Sequence, residues 1–190
     1  MIASSNRSGW FGASDVNYII GNYSTKSFEN FWLEKMGLRH SDFTNDAMLA
    51  GTHYEHKILE FINVPEKDNQ IKIPELLLRV NLDGNSNTTI YEVKTYKHDK
   101  GFTVPIKYKR QVWVQMYASK LEKAYIVAYG LVKNDYINFF NDIDEDRISY
   151  FEVEKNDDWI EATFIPRLKY LGECYHNGMF PTNEGFNKWI

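Results

Sequence analysis

The sequence predicts an α/β (α+β) protein, a central mixed β-sheet flanked by helices on both sides, in a single domain over residues 1–190. Three observations predict it. Helical patterns dominate residues 10–62, strand patterns dominate 70–153, and a last helical pattern covers 157–176. The apolar run 124–132 suits a strand covered on both faces. A polar turn signal, Gly84-Asn85-Ser86-Asn87, divides the stretch 79–94 into a hairpin. With 43% hydrophobic and 16% aromatic residues, a chain of 190 residues can bury such a core.

Taken in order, residues 5–21 open on a polar, glycine-containing loop, after which Ser14 or Asp15 can cap a short helix ending at Gly21. Such a helix start offers N–H groups to an anion, although an ordinary cap is the plainer reading. Residues 26–36 place Phe28, Phe31, Trp32 and Lys35 on successive turns, a core helix with no chemistry of its own. In residues 43–62, Met48, Thr52, Glu55, Ile58, Leu59 and Ile62 share a face, so Glu55 lies on the stripe that enters the core. A buried carboxylate is costly alone, so Glu55 either stands at the edge or meets a cation. His53 and His56 fall on other faces and read as surface residues. Segments 70–73 and 75–82 read as strands broken at Pro74. Pro105 opens a helix to residue 119 whose inner stripe carries two amides. Gln115 reads as structural, whereas Gln111, nearer the helix start, can reach a polar site. Strands over 136–140 and 147–153 are expected around an acidic turn, and the tail from Asn177 reads as loosely ordered.

The hairpin carries the chemistry. Side chains alternate along a strand, so Glu92 and Lys94 share one face while Tyr91, Val93 and Thr95 share the other. Arg79, Asn81 and Asp83 line one face of the incoming strand, and closing the hairpin brings Asp83 towards Glu92. Two carboxylates beside a lysine suit a hard divalent cation. A solvated Glu/Lys pair on a surface strand is the bland alternative. The net charge of −4 hides a segregation: residues 94–110 hold six Lys or Arg against Asp99, and residues 135–158 hold nine acids against Arg147 and Lys155. The basic stretch begins at Lys94, where a phosphodiester would lie. A single cysteine, Cys174, excludes a disulfide framework, a Cys-rich zinc site and a four-Cys iron–sulfur cluster. No apolar run reaches about 18 residues. The first ten residues lack the apolar core of a signal peptide, so a soluble, cytoplasmic protein without a membrane partner is expected.

The succession of GASD at 12–15, MLAGTHYEHKILEF with Glu55, Leu82-Asp83-Gly84, Glu92-Val93-Lys94 and YKRQVWVQMY at 108–117 resembles the phage lambda exonuclease, or YqaJ-like viral recombinase, family of the PD-(D/E)XK nuclease superfamily. The resemblance spans most of the chain. It departs at Leu82, where the family often has Pro, at Thr95, where Cys or a similar residue is frequent, and in the shortness of the chain. It implies a restriction-endonuclease-like core and a Mg2+-dependent exonuclease, with Mn2+ able to substitute. The implied substrate is linear double-stranded DNA, digested 5′ to 3′ in phage-type recombination in the host cytoplasm. A single-strand annealing protein is the implied partner, and a homotrimer the implied assembly. By the same resemblance, Asp83, Glu92, the Val93 carbonyl and Glu55 hold metal, and Lys94 and Gln111 join them in catalysis. Tyr108 and Lys97 are candidate DNA contacts, and Arg7 and Ser14 are candidates for a pocket that takes a terminal 5′-phosphate. Alternatives are an end-independent endonuclease or nickase, a non-catalytic DNA-binding module on the same scaffold, and a metal-binding α/β protein unrelated to nucleic acid.

Overall fold

The computed structural model describes residues 8–39 and 45–190. They build a five-stranded sheet in sequential order: β1 (Glu66–Ile73), β2 (Leu78–Asn85), β3 (Thr89–Lys97), β4 (Lys123–Leu131) and β5 (Ile148–Glu152). Only β3 and β4 pair in parallel; the other neighbours are antiparallel. A parallel pair needs a crossover, and α4 (Ile106–Ser119) supplies it. Apolar clusters cover both faces. One joins Val80, Ile90 and Ile126 to α1 (Val16–Ile19), α2 (Lys26–Lys35), α4 and α6 (Ile165–His176). The other packs Val93, Val127 and Tyr129 against α3 (Asp46–Phe61). The mixed sheet with helices on both sides is therefore the architecture of the chain.

Local chemistry explains most boundaries. Thr25 caps α2 by accepting the Phe28 N–H at 3.2 Å, and Phe28, Phe31, Trp32 and Lys35 are buried as their spacing requires. Asn45 caps α3 through the Met48 N–H at 2.9 Å. The inward stripe of α3 is Ala50, Tyr54, Ile58 and Leu59, while Met48 is 49% exposed and Thr52 lies outside. The stripe is rotated from the expected one because Tyr54 buries its ring and sends its hydroxyl to Asp135 at 3.1 Å. Glu55 consequently flanks the core instead of entering it.

Three further expectations give way. No strand forms over 136–140. Buried Asp135 accepts the Val132 N–H at 2.8 Å and Arg147 at 2.6 Å, which fixes a 3-10 turn at Lys133–Tyr136 and leaves Phe140 92% exposed. The final helix is not continuous α: α5 (Asp157–Trp159) passes through a π segment, Ile160–Phe164, into α6, where Pro166 supplies no N–H. Nor is the tail loose, since α7 (Asn183–Trp189) buries Phe186, and Asn183 bonds the Tyr23 N–H at 3.2 Å.

The hairpin turn is tighter than its composition suggests. Gly84 and Asn85 stay in β2 opposite Tyr91 and Ile90, and the chain reverses at Ser86, whose N–H donates to Thr89 O at 2.8 Å. Beyond Gly84–Tyr91 no further β2–β3 pairing follows, and the strands fork. Gly84 is required by the helix beneath it: a Cβ there would lie 2.7 Å from Leu59 Cδ2 and 2.8 Å from Val64 Cγ1. Both neighbours are buried core side chains, so Gly84→Ala is expected to destabilise the fold by about 1–3 kcal/mol, read as a lower denaturant midpoint at unchanged slope.

Candidate active site

The fork places Asp83 and Glu92 on the wall of a cavity of about 230 Å³, which also includes Glu55, Lys94, Gln111 and Ser14. Asp83 Oδ2 accepts the Val93 N–H at 2.9 Å, taking the place of the ladder bond that the fork removes. Glu92 is 1% exposed and accepts three side-chain hydrogen bonds. Its Oε1 accepts from Lys94 Nζ and from Gln111 Nε2, the latter at 2.5 Å. Its Oε2 accepts from Gln115 Nε2 at 2.5 Å, and the same amide donates to Asn81 O at 3.2 Å. Both amides of α4 thus converge on one carboxylate, so Gln115 belongs to the site and not only to the core. Lys94 Nζ lies 5.0 Å from the Tyr108 ring centroid, a cation–π contact that backs the ammonium.

The electrostatics follow from crowding acids in a poorly hydrated pocket. Burial, then the Glu92 and Glu55 carboxylates, push Asp83 well above the usual carboxylate range, against the opposing pull of Lys94. Burial and the Glu92 charge likewise raise Glu55. Burial alone would lower Lys94, but the charges of Glu92 and Asp83 outweigh it and raise it, so Lys94 is an ammonium. Three carboxylates of α3, β2 and β3 therefore line one cavity, with the Lys94 ammonium beside them. Their mutual repulsion is what a divalent ion relieves, and an all-oxygen donor set fits Mg2+ or Mn2+.

The opposite wall is built by the 3-10 turn Ala13–Asp15. The expected Ser14 cap is absent there. Instead, Asp15 Oδ2 reaches back to the Gly12 N–H at 2.8 Å and binds Lys35 Nζ at 2.5 Å, while Lys35 also donates to Trp10 O at 2.9 Å. Ser14 stays exposed on the cavity wall, and Arg79 of β2 lines it too. Two of the expected DNA contacts are not brought to this cavity: Tyr108 touches it only through Lys94, and Lys97 lines a separate open groove of about 770 Å³ with His98 and Lys133. Arg7 lies outside the described residues.

Some residues of the site carry signals that sequence reasoning underused. Lys35 interrupts an aromatic stripe just as Glu55 does, and Arg79 shares strand parity with Asp83. His56 is no plain surface residue, because its Nε2 meets Asp68 at 3.0 Å. Glu55, His56 and Asp68 each offer a ligand atom within 4.8 Å of the others.

No protein-family model matches the sequence, and no curated protein matches it. Solved structures do. LHK-Exo in complex with dAMP superposes with a TM-score of 0.69 at 19% identity, over 90% of each chain. A second structure of LHK-Exo, an alkaline exonuclease from Laribacter hongkongensis, gives 0.64 at 19% identity over 90% of this chain and 88% of that one. A phage related exonuclease from Haemophilus somnus 129PT gives 0.66 at 12% identity over 89% and 94%. The chain has the fold of these exonucleases, which is the fold that its motif order resembles.

Proposed function

We propose that the chain is a divalent-metal-dependent exonuclease that digests linear double-stranded DNA from its 5′ ends. The observation that carries this reading is the convergence of Glu55, Asp83, Glu92 and Lys94 on one cavity at the sheet fork. That its structural neighbours are exonucleases adds to it. The chemistry that bound Mg2+ or Mn2+ supplies is polarisation of the phosphodiester and a more acidic water. Asp83, Glu92 and the Val93 carbonyl, with Glu55 directly or through water, would hold the ion. Lys94, kept cationic by its acidic neighbours, offsets charge that builds on the phosphate. Gln111 holds the Glu92 carboxylate in place. Ser14 and Arg79, which line the same cavity, would receive a terminal phosphate. A homotrimer and an annealing-protein partner accompany this reading by resemblance alone.

The test is product analysis on end-labelled linear duplex beside a covalently closed circle, with Mg2+ present. A 5′ label is expected to appear early as mononucleotide, with the 3′ label retained and the circle uncut. Cutting of the circle replaces this reading with an endonuclease, and intact linear DNA in both Mg2+ and Mn2+ rejects nuclease activity.

A further inference from the structure

Gln115 sits one helical turn beyond Gln111 and is 1% exposed. Both of its side-chain N–H bonds are used, one on Glu92 Oε2 and one on the Asn81 carbonyl. Its Oε1, by contrast, is buried without a hydrogen-bond partner. Rotating the amide by half a turn would not help, because both neighbours are acceptors and would then face an oxygen. A buried, unsatisfied amide oxygen opposes stability, and an apolar side chain of equal size would avoid that cost. What the amide gives in return lies in its two donors.

Those donors decide how Glu92 can be used. Each carboxylate oxygen offers about two lone-pair sites. On Oε1 both are filled, by Lys94 and Gln111; on Oε2 one is filled, by Gln115. The remaining lone pair is therefore on Oε2. Its direction is set by an amide anchored to β2, the strand that also carries Asp83. We propose that Gln115 is a positioning residue of the metal site, fixing the rotation of the Glu92 carboxylate so that a cation binds through Oε2, and linking the two ligand-bearing strands across the fork. The inference rests on the metal-nuclease reading above and adds a residue that acts through Glu92, without touching the substrate.

The experiment titrates Mn2+ into the full chain, following free Mn2+ by electron paramagnetic resonance and unfolding temperature in parallel, for the unmodified protein, Gln115→Met and Gln115→Asn. Methionine keeps the volume and removes both donors; asparagine keeps an amide that is one methylene too short. Mn2+ affinity is expected to fall by about 10-fold or more in both variants, with cleavage recovering as Mn2+ is raised and KM for DNA unchanged. A merely structural Gln115 would instead lower the metal-free unfolding temperature and leave Mn2+ affinity as it was, and that result in either folded variant overturns the proposal. The side-chain amide resonances of Gln115 in the unmodified protein give a second readout that needs no variant. They are expected to shift along the Mg2+ titration, and resonances that stay put overturn the proposal. If the unmodified protein binds no divalent ion, the nuclease reading falls first, and this inference with it.

Discussion

Lys94→Ala is expected to lower the single-turnover rate of DNA cleavage by about 10²–10³-fold while duplex binding stays within a few-fold of the original. The asymmetry follows from where the ammonium sits. Lys94 Nζ is paired with Glu92 and backed by the Tyr108 ring inside the cavity, so few of the chain's general contacts to a DNA backbone depend on it. Removing it takes a positive charge from beside Asp83 and Glu92, which favours loading of a divalent cation. The loss must then appear in the chemical step and not in metal occupancy. Saturating Mg2+ in the cleavage assay, and Ca2+ in the binding assay, separate the two. A variant that cuts at the original rate would take Lys94 out of the mechanism.

Asp83→Asn has the second large effect, and its signature is a pair of opposite signs. Asp83 is raised by burial and by the neighbouring acids, so the folded protein binds its proton more tightly than the unfolded chain does. Stability contributed by that proton is complete at low pH and is lost as pH rises from the ordinary carboxylate value through the raised one. Above the ordinary carboxylate range the group therefore opposes folding, and replacing it with a neutral isostere is expected to raise the unfolding temperature in EDTA at neutral pH. Asparagine still offers an oxygen to the Val93 N–H, so the fork itself is retained. Excess Mg2+ is expected to do the reverse. On the proposed function it stabilises the unmodified protein by about 2.7 kcal/mol at a hundred times its dissociation constant, and this gain is expected to vanish in the variant together with cleavage. Thermal unfolding in EDTA and in excess Mg2+ reads both signs, and a variant that keeps its Mg2+ shift would separate Asp83 from the metal.

Much of this was legible in the residues, because spacing and alternation are local. Period-two parity put Glu92 and Lys94 on one face, and the Tyr108–Gln111–Gln115 stripe aimed two amides at the sheet. The misreadings share a cause, in that each depends on a distant partner. The rotation of α3 is set by the Tyr54–Asp135 bond, which joins residues 81 positions apart. The turn at 133–136 depends on Arg147 meeting Asp135. Lys35 looks like an anomaly in a core helix until Asp15 is placed against it. Gln115 reads as structural until Glu92 is known to need a third donor. The order of the tail was hidden because α7 earns its place by docking Asn183 on the Tyr23 amide, a contact no local pattern reveals.

In an ordinary antiparallel ladder each amide is held by a carbonyl, whose charge never changes. Val93 is held by the Asp83 carboxylate, a group that a cation or a proton can claim. One main-chain hydrogen thereby becomes a gauge of the ionic state beside it, and its rate of exchange with heavy water reports that state without substrate, dye or engineered label.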